Sequence, residues 1–327
     1  MENRTSRLKR IRILAWVLTA LSLVILLASA YIRLGGAGLG CGQWPDCYGA
    51  ILAGTQSLQT GGARILHRSA ASLALVLGFV LAWQSQRPQP IEPAARYATM
   101  LLALMILLTF VGLFSFDPHR AWASFINILG GAGLVLLSWR TALAVGTGAA
   151  APAVRNAAAT LHAGLGLLVL TIMLGALIGA RYAATACPTL PGCSDQYWPA
   201  AGGWGALNPF VTIAAVAAPG DAGGVALHLL HRYCALATLL LLGLGGVRAL
   251  AQPACRASAA VMLVLLLVQV SLGILTVASG FSLGLAMAHG ICATVLLATG
   301  VHVMVRIKGG APDARPAGVG GEVPATR

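Results

Sequence analysis

Acid is almost missing from this chain. Eight Asp and Glu stand against 21 Lys and Arg in 327 residues. The eight, Glu2, Asp46, Glu92, Asp117, Asp195, Asp221, Asp313 and Glu322, all fall outside the long apolar runs. No carboxylate is therefore expected at membrane depth to shuttle a proton or steady a cation. Charge of either sign is scarce at 9%. A soluble domain carries far more on its surface, and with 58% hydrophobic residues and a mean hydropathy of +0.84 a soluble fold is excluded. Aromatic residues make up only 6%. The basic excess of +13 sits in short loops with no aromatic interleaving, which excludes a nucleic-acid surface.

What is abundant is apolar sequence in runs of about 20 residues, the length that crosses a ~30 Å hydrocarbon layer at ~1.5 Å per residue. Eight occur, at roughly 11–32, 65–85, 97–115, 122–143, 156–180, 225–250, 257–279 and 284–306. The first is too long for a signal peptide, has basic residues before it, and is followed by no A-x-A-like cleavage site, so it is expected to be a helix. With eight spans both termini share a side. That side holds fifteen of the Lys and Arg, including Arg4, Arg7, Lys9, Arg10 and Arg12; the other holds Arg33, Arg64, Arg68, Arg120, Arg181 and Arg232. The imbalance predicts that both termini are cytoplasmic, and the expected location is a bacterial-type inner (cell) membrane.

The spans repeat. Runs 1–4 and 5–8 each give a helix, a long outer loop with two cysteines, a helix opening with His-Arg, a short link and a final pair. An even number of spans per half makes the copies parallel, unlike the inverted repeats of many transporters. The expectation is an all-α polytopic membrane protein of two parallel-repeat four-helix bundles, over residues 1–145 and 146–308. A Gly/Pro/Ala-rich tail, 309–327, is expected to be disordered.

The outer loops carry "CGQWPDCYG" (41–49) and "CPTLPGCSD" (187–195), each Cys-x5-Cys with a proline four residues after the first cysteine. On the non-cytoplasmic face disulfides persist, and such a loop brings two Cα atoms within the ~4.4–6.8 Å a bridge requires. Cys41–Cys47 and Cys187–Cys193 are the expected pairs. A redox-active pair or a thiolate site stays open, while zinc is disfavoured by the spacing. Cys234, Cys255 and Cys292 read as small apolar residues.

Seven histidines occur. His231 and His289 lie at matching depth, each about a turn and a half inside the outer boundary of its span. Ionisable groups inside a membrane usually mark a site, and two imidazoles on two helices of one bundle can clamp a planar metal macrocycle. The alternative is a pair of hydrogen-bonded core histidines. No C-x-x-C-H occurs, so a heme here is held without covalent attachment. Arg232 either meets a heme propionate or snorkels to the surface. His67 and Arg68 match His231 and Arg232 in the first half, but the position of His289 is taken by Asn127 when "FINILGGAGLVLL" is set against "MAHGICATVLLA". His228, one turn before His231, can line the second site. His119 reads as a surface residue, and His162 and His302 as structural or interfacial.

Together these residues resemble the heme A synthase family. The likeness rests on eight helices in two halves, paired cysteines in the first and third outer loops, and His-Arg at the heads of helices 2 and 6. It also rests on "RLGGAGLGCGQWPDCYG" (33–49), "LVQVSLGILTV" (267–277) and the His of "LAMAHG" (285–290). The resemblance implies oxidation of the C8 methyl of heme O to the formyl of heme A, a step in terminal-oxidase maturation. It implies a resident heme b on His231 and His289, heme O entering by His67, and heme O synthase and cytochrome oxidase assembly as partners. The family has a glutamate one turn before the first-half histidine and a second histidine in helix 4; here those positions hold Arg64 and Asn127. A second expectation is therefore a non-catalytic heme b-binding membrane protein, acting in electron transfer, heme handling or oxidase assembly.

Overall fold

The structure, a computed structural model, describes residues 4–39, 41, 43, 45–54, 61–145 and 155–308. The expected tail at 309–327 and the junction between the two halves at 146–154 lie outside these. Eight long α-helices run through the described residues: α1 Arg4–Gly36, α2 Gly61–Gln86, α3 Ala94–Gly112, α4 Ala121–Ala144, α5 Arg155–Ala180, α6 Ala222–Leu250, α7 Arg256–Ala278 and α8 Leu283–Lys308. All eight are long and apolar enough to cross a membrane. Their outward faces are apolar too, as at Val264 and Leu267 of α7, which are about 60% exposed. In water such faces would be a liability; in lipid they are the solvent-facing surface. The chain is an all-α, multi-pass membrane protein.

Two of the helix boundaries that depart from the apolar runs have a visible cause. α1 starts seven residues before its run because Arg7 is anchored: its Nε donates to the carbonyl of Gln84 (2.9 Å) and its Nη2 to those of Ser85 (3.2 Å) and Gln89 (2.8 Å). These carbonyls close the C-terminal end of α2, where acceptors are left over and positive charge is favoured. α3 ends at Gly112 rather than 115, in a turn ahead of Asp117-Pro118, where the residue before proline is pushed out of the helical region.

Within the first half α1 packs on α2 and α4, and α3 packs on α2 and α4, so α1 faces α3 and α2 faces α4 across the middle. The second half repeats this with α5 to α8. The halves meet through α4 against α5, α8 against α1, and α4 against α8. Those are the pairings that a twofold axis along the membrane normal generates from a parallel repeat. The tightest seam is α5 on α6: a Cβ on Gly164 would stand 2.6 Å from the backbone nitrogen of Leu242, so the missing side chain lets the two backbones approach.

Each bundle has a packed core whose largest part lies from mid-helix to one end. The second core joins Leu161 and Leu168 of α5, Leu242, Met262, Leu266, Leu296 and Ile307. The first joins Ile11, Leu18, Ala74, Leu81, Leu101 and Leu134. All of these lie toward the end away from the cysteine loops, while His67, Asn127, His231 and His289 lie toward the cysteine loops.

Candidate functional site

The cysteine loops close over the histidine-bearing ends. Disulfides join Cys41 to Cys47 and Cys187 to Cys193, with Cα separations of 6.6 and 4.8 Å. A layer of Leu39, Tyr48, Tyr182, Ile213 and Phe281 draws both halves into one apolar cluster, and the hydroxyl of Tyr48 accepts from the backbone N–H of Ala184 (3.4 Å). Burial raises the phenol pKa of both Tyr48 and Tyr182, so both stay protonated through the neutral range. His119 is no free surface residue. Its Nδ1 bonds the carbonyl of Ile213 (2.5 Å), its own carbonyl accepts from the N–H of Ile213 (2.9 Å), and the loop before α4 is thereby stitched to the loop before α6.

Arg232 has a definite place in this lid. Its Nη1 donates to the carbonyls of Pro191 and Gly192, both at 3.0 Å, and its Nη2 lies 3.4 Å from that of Cys187. The guanidinium thus holds the second disulfide loop onto α6. Arg232→Met keeps the stem and deletes the charged donors, each of which contributes ~1.5–3 kcal/mol when shielded and less at this half-exposed position. We expect the Cys187–Cys193 bridge to be reduced several-fold faster by dithiothreitol in the variant, measured by alkylation of the released thiols; the Cys41–Cys47 bridge serves as internal control.

Beneath the lid, α6 and α8 face each other across the second bundle and bring His231 and His289 together, ring centroids 6.2 Å apart and planes at 62°. The Nδ1 of His231 lies 2.9 Å from the carbonyl oxygen of Thr171 on α5. A carbonyl only accepts, so Nδ1 carries the proton and Nε2 keeps its lone pair. Thr171 itself is fixed by a buried contact with Thr238 of α6, 3.3 Å between the hydroxyls. Two glycines make room for the rings. A Cβ on Gly175 would stand 3.1 Å from Cε1 of His231, and one on Gly273 would stand 3.0 Å from Cε1 of His289. Gln269, one turn before Gly273 on α7, places its amide nitrogen 3.3 and 3.2 Å from the two ring nitrogens of His289. Its oxygen is buried without a partner among the described residues.

This donor set fits a heme and not a bare metal ion. Among the described residues no group of three or more His, Cys, Asp or Glu could hold a metal, whereas a bare zinc ion takes four ligands. Two opposed imidazoles complete a metal that arrives with its own in-plane nitrogens.

The remaining histidines are placed elsewhere. His228 is buried, its Nε2 3.0 Å from the carbonyl of Ala183 and its ring against Phe281, so it belongs to the lid. His162 bonds the carbonyl of Ala158 in its own helix. His302 lies partly buried near the far end of α8, and Cys255 is buried there too. Cys234 and Cys292 stand three residues past His231 and His289; the thiol of Cys292 is turned to the carbonyl of Leu265 (3.7 Å). In the first half His67 and Asn127 are both partly buried, on α2 and α4, helices that stand diagonally in the bundle; Arg68 is exposed, and Arg64 is partly buried one turn before His67. The spacing of the histidines is legible in sequence. Gly175 and Thr171 are not, since each matters only through a helix it packs against; Gln269 and Gly273 fall within "LVQVSLGILTV", but their place beside His289 shows only in the fold.

A family model described as cytochrome oxidase assembly protein matches residues 119–301, from just before α4 into α8. A protein named heme A synthase from Shewanella oneidensis is 28% identical over 327 aligned residues, covering 89% of this chain and 95% of that protein. Another heme A synthase, from Symbiobacterium thermophilum, is 33% identical over 90 residues, 28% of this chain and 29% of its own.

Proposed function

Since the chain belongs to the cytochrome oxidase assembly protein family, we propose that it acts in heme A biosynthesis, as a membrane oxidoreductase converting the C8 methyl of heme O to a formyl group. The observation that carries this reading is the pair His231 and His289, brought together from α6 and α8, with the lone pair on Nε2 of His231 left for a metal. Heme b bound there supplies one-electron transfer. The protein's part is to fix the two rings: Thr171 sets the tautomer of His231, Gly175 and Gly273 clear the space, and the disulfide lid keeps water from the site. Arg232, next to His231, adds positive charge at the rim, where heme carboxylates would lie.

The first half takes the substrate. His67 is its one imidazole at matching depth, with Arg68 beside it at the membrane boundary. The halves share the lid, which would close both sites off under a single apolar layer. Sequence likeness of a heme A synthase along 89% of the chain supports this over a transporter.

One observation favours a second reading. All five described acidic residues, Asp46, Glu92, Asp117, Asp195 and Asp221, lie between helices, and Asn127 stands where a second imidazole would complete the first-half site. A protein so built can hold heme b and serve oxidase assembly or electron transfer without the oxidation step. Co-expression with a heme O synthase and chromatography of the extracted hemes separates the two. We expect heme A to appear; heme O and heme b alone would leave the binding protein.

A further inference from the structure

His231 and His289 differ in what stands behind them. Behind His231 is a backbone carbonyl fixed in α5, an acceptor that no substitution of its own residue removes. Behind His289 is the side-chain amide of Gln269, reaching from α7. The amide nitrogen faces both ring nitrogens at once, yet a neutral imidazole offers an acceptor at only one of them. Meanwhile the amide oxygen is buried with no partner among the described residues, a condition that destabilises the fold. A leucine would fill the same volume without that penalty. As a packing residue, Gln269 is poorly explained.

It is explained by a ligand on the opposite ring nitrogen. A metal on Nε2 leaves the proton on Nδ1, and that proton needs an acceptor. Turning the amide by 180° exchanges its nitrogen and oxygen with no change of shape and puts the oxygen against the ring. Gly273, four residues on and on the same face of α7, clears the ring edge beside it. The geometry points to Gln269 as a positioning residue: through its amide oxygen it holds the Nδ1 side of His289, aims Nε2 at the iron, and sets the reduction potential of the bound heme. This rests on the reading of His231 and His289 as heme ligands. An acceptor behind a ligating imidazole raises its basicity, which favours the ferric state and lowers the potential.

The test is a spectroelectrochemical titration of the purified full-length protein loaded with hemin, comparing wild type with Gln269→Leu, Gln269→Met and Gln269→Glu. We expect the Leu and Met variants to keep the low-spin spectrum and to show a higher midpoint. Each tenfold loss of ferric over ferrous affinity is worth 59 mV for a one-electron couple. The Glu variant, which keeps an acceptor oxygen whether or not it ionises, should sit at or below wild type. A Leu midpoint equal to wild type overturns the assignment, as does a Glu midpoint raised along with the Leu one. If the apolar variants lose heme and Glu retains it, the acceptor is what the site needs and the assignment stands; if all three lose it, Gln269 is only packing. Wild-type protein with no low-spin spectrum removes the heme ligation itself, and the role of Gln269 with it.

Discussion

Alanine in place of His231 or of His289 is expected to abolish the low-spin heme spectrum of the purified protein. On the proposed reading each imidazole would be one of two protein ligands to the heme iron, and among the described residues no third metal-ligating side chain joins the pair. Loss of either leaves iron with one axial ligand, weaker binding and a high-spin spectrum. His231→Ala also deletes the bond to Thr171, so a drop in stability could mimic loss of ligation. Free imidazole separates the causes, because it can occupy the cavity and restore a low-spin spectrum only in a folded protein. His228→Ala is the matching control. His228 is one turn away on the same helix, but its Nε2 is engaged by Ala183, and its replacement should leave the spectrum as it is. Both ligand variants retaining a low-spin heme would remove these histidines from the site.

The features legible in sequence are those set by local chemistry. Apolar runs of sufficient length become helices because a membrane leaves backbone groups no other partner, and all eight did, with ends moved where Arg7 found carbonyls and where Asp117-Pro118 stopped a turn. The cysteine pairs were legible because five intervening residues and a proline already bring the two ends close. What could not be read depends on contact between distant segments. His119 looked like a surface residue because nothing in 117–120 announces Ile213, 94 residues on. By sequence Arg232 fits either a propionate or the membrane surface, and in the structure its partners are carbonyls of the disulfide loop. Gly175 was one glycine among 40 until α6 brought His231 against it. Each of these is a tertiary contact between residues whose types are common, so no spacing rule singles them out.

His67→Ala should abolish heme A formation and leave the second-half heme spectrum unchanged. The two halves have separate packed cores away from the lid, and the apolar clusters that join them at the lid contain no residue of α2, so a change at the head of α2 is not expected to reach the α6–α8 pair. The first site is also the more fragile one. Across the axis from His67, α4 offers Asn127, whose amide is a poor iron ligand beside an imidazole. No carboxylate stands within either helix to share the load. A single imidazole then carries nearly all the specific attraction for the incoming macrocycle's iron, and its removal takes away both binding and orientation. Heme O supplied to the purified variant should fail to bind above the level set by its partition into detergent, while the resident heme continues to titrate with the wild-type midpoint. If the variant still makes heme A at the wild-type rate, the substrate does not enter by His67. If instead the second-half spectrum collapses as well, the halves are coupled through the lid rather than independent below it, and the His119–Ile213 seam becomes the element to break next.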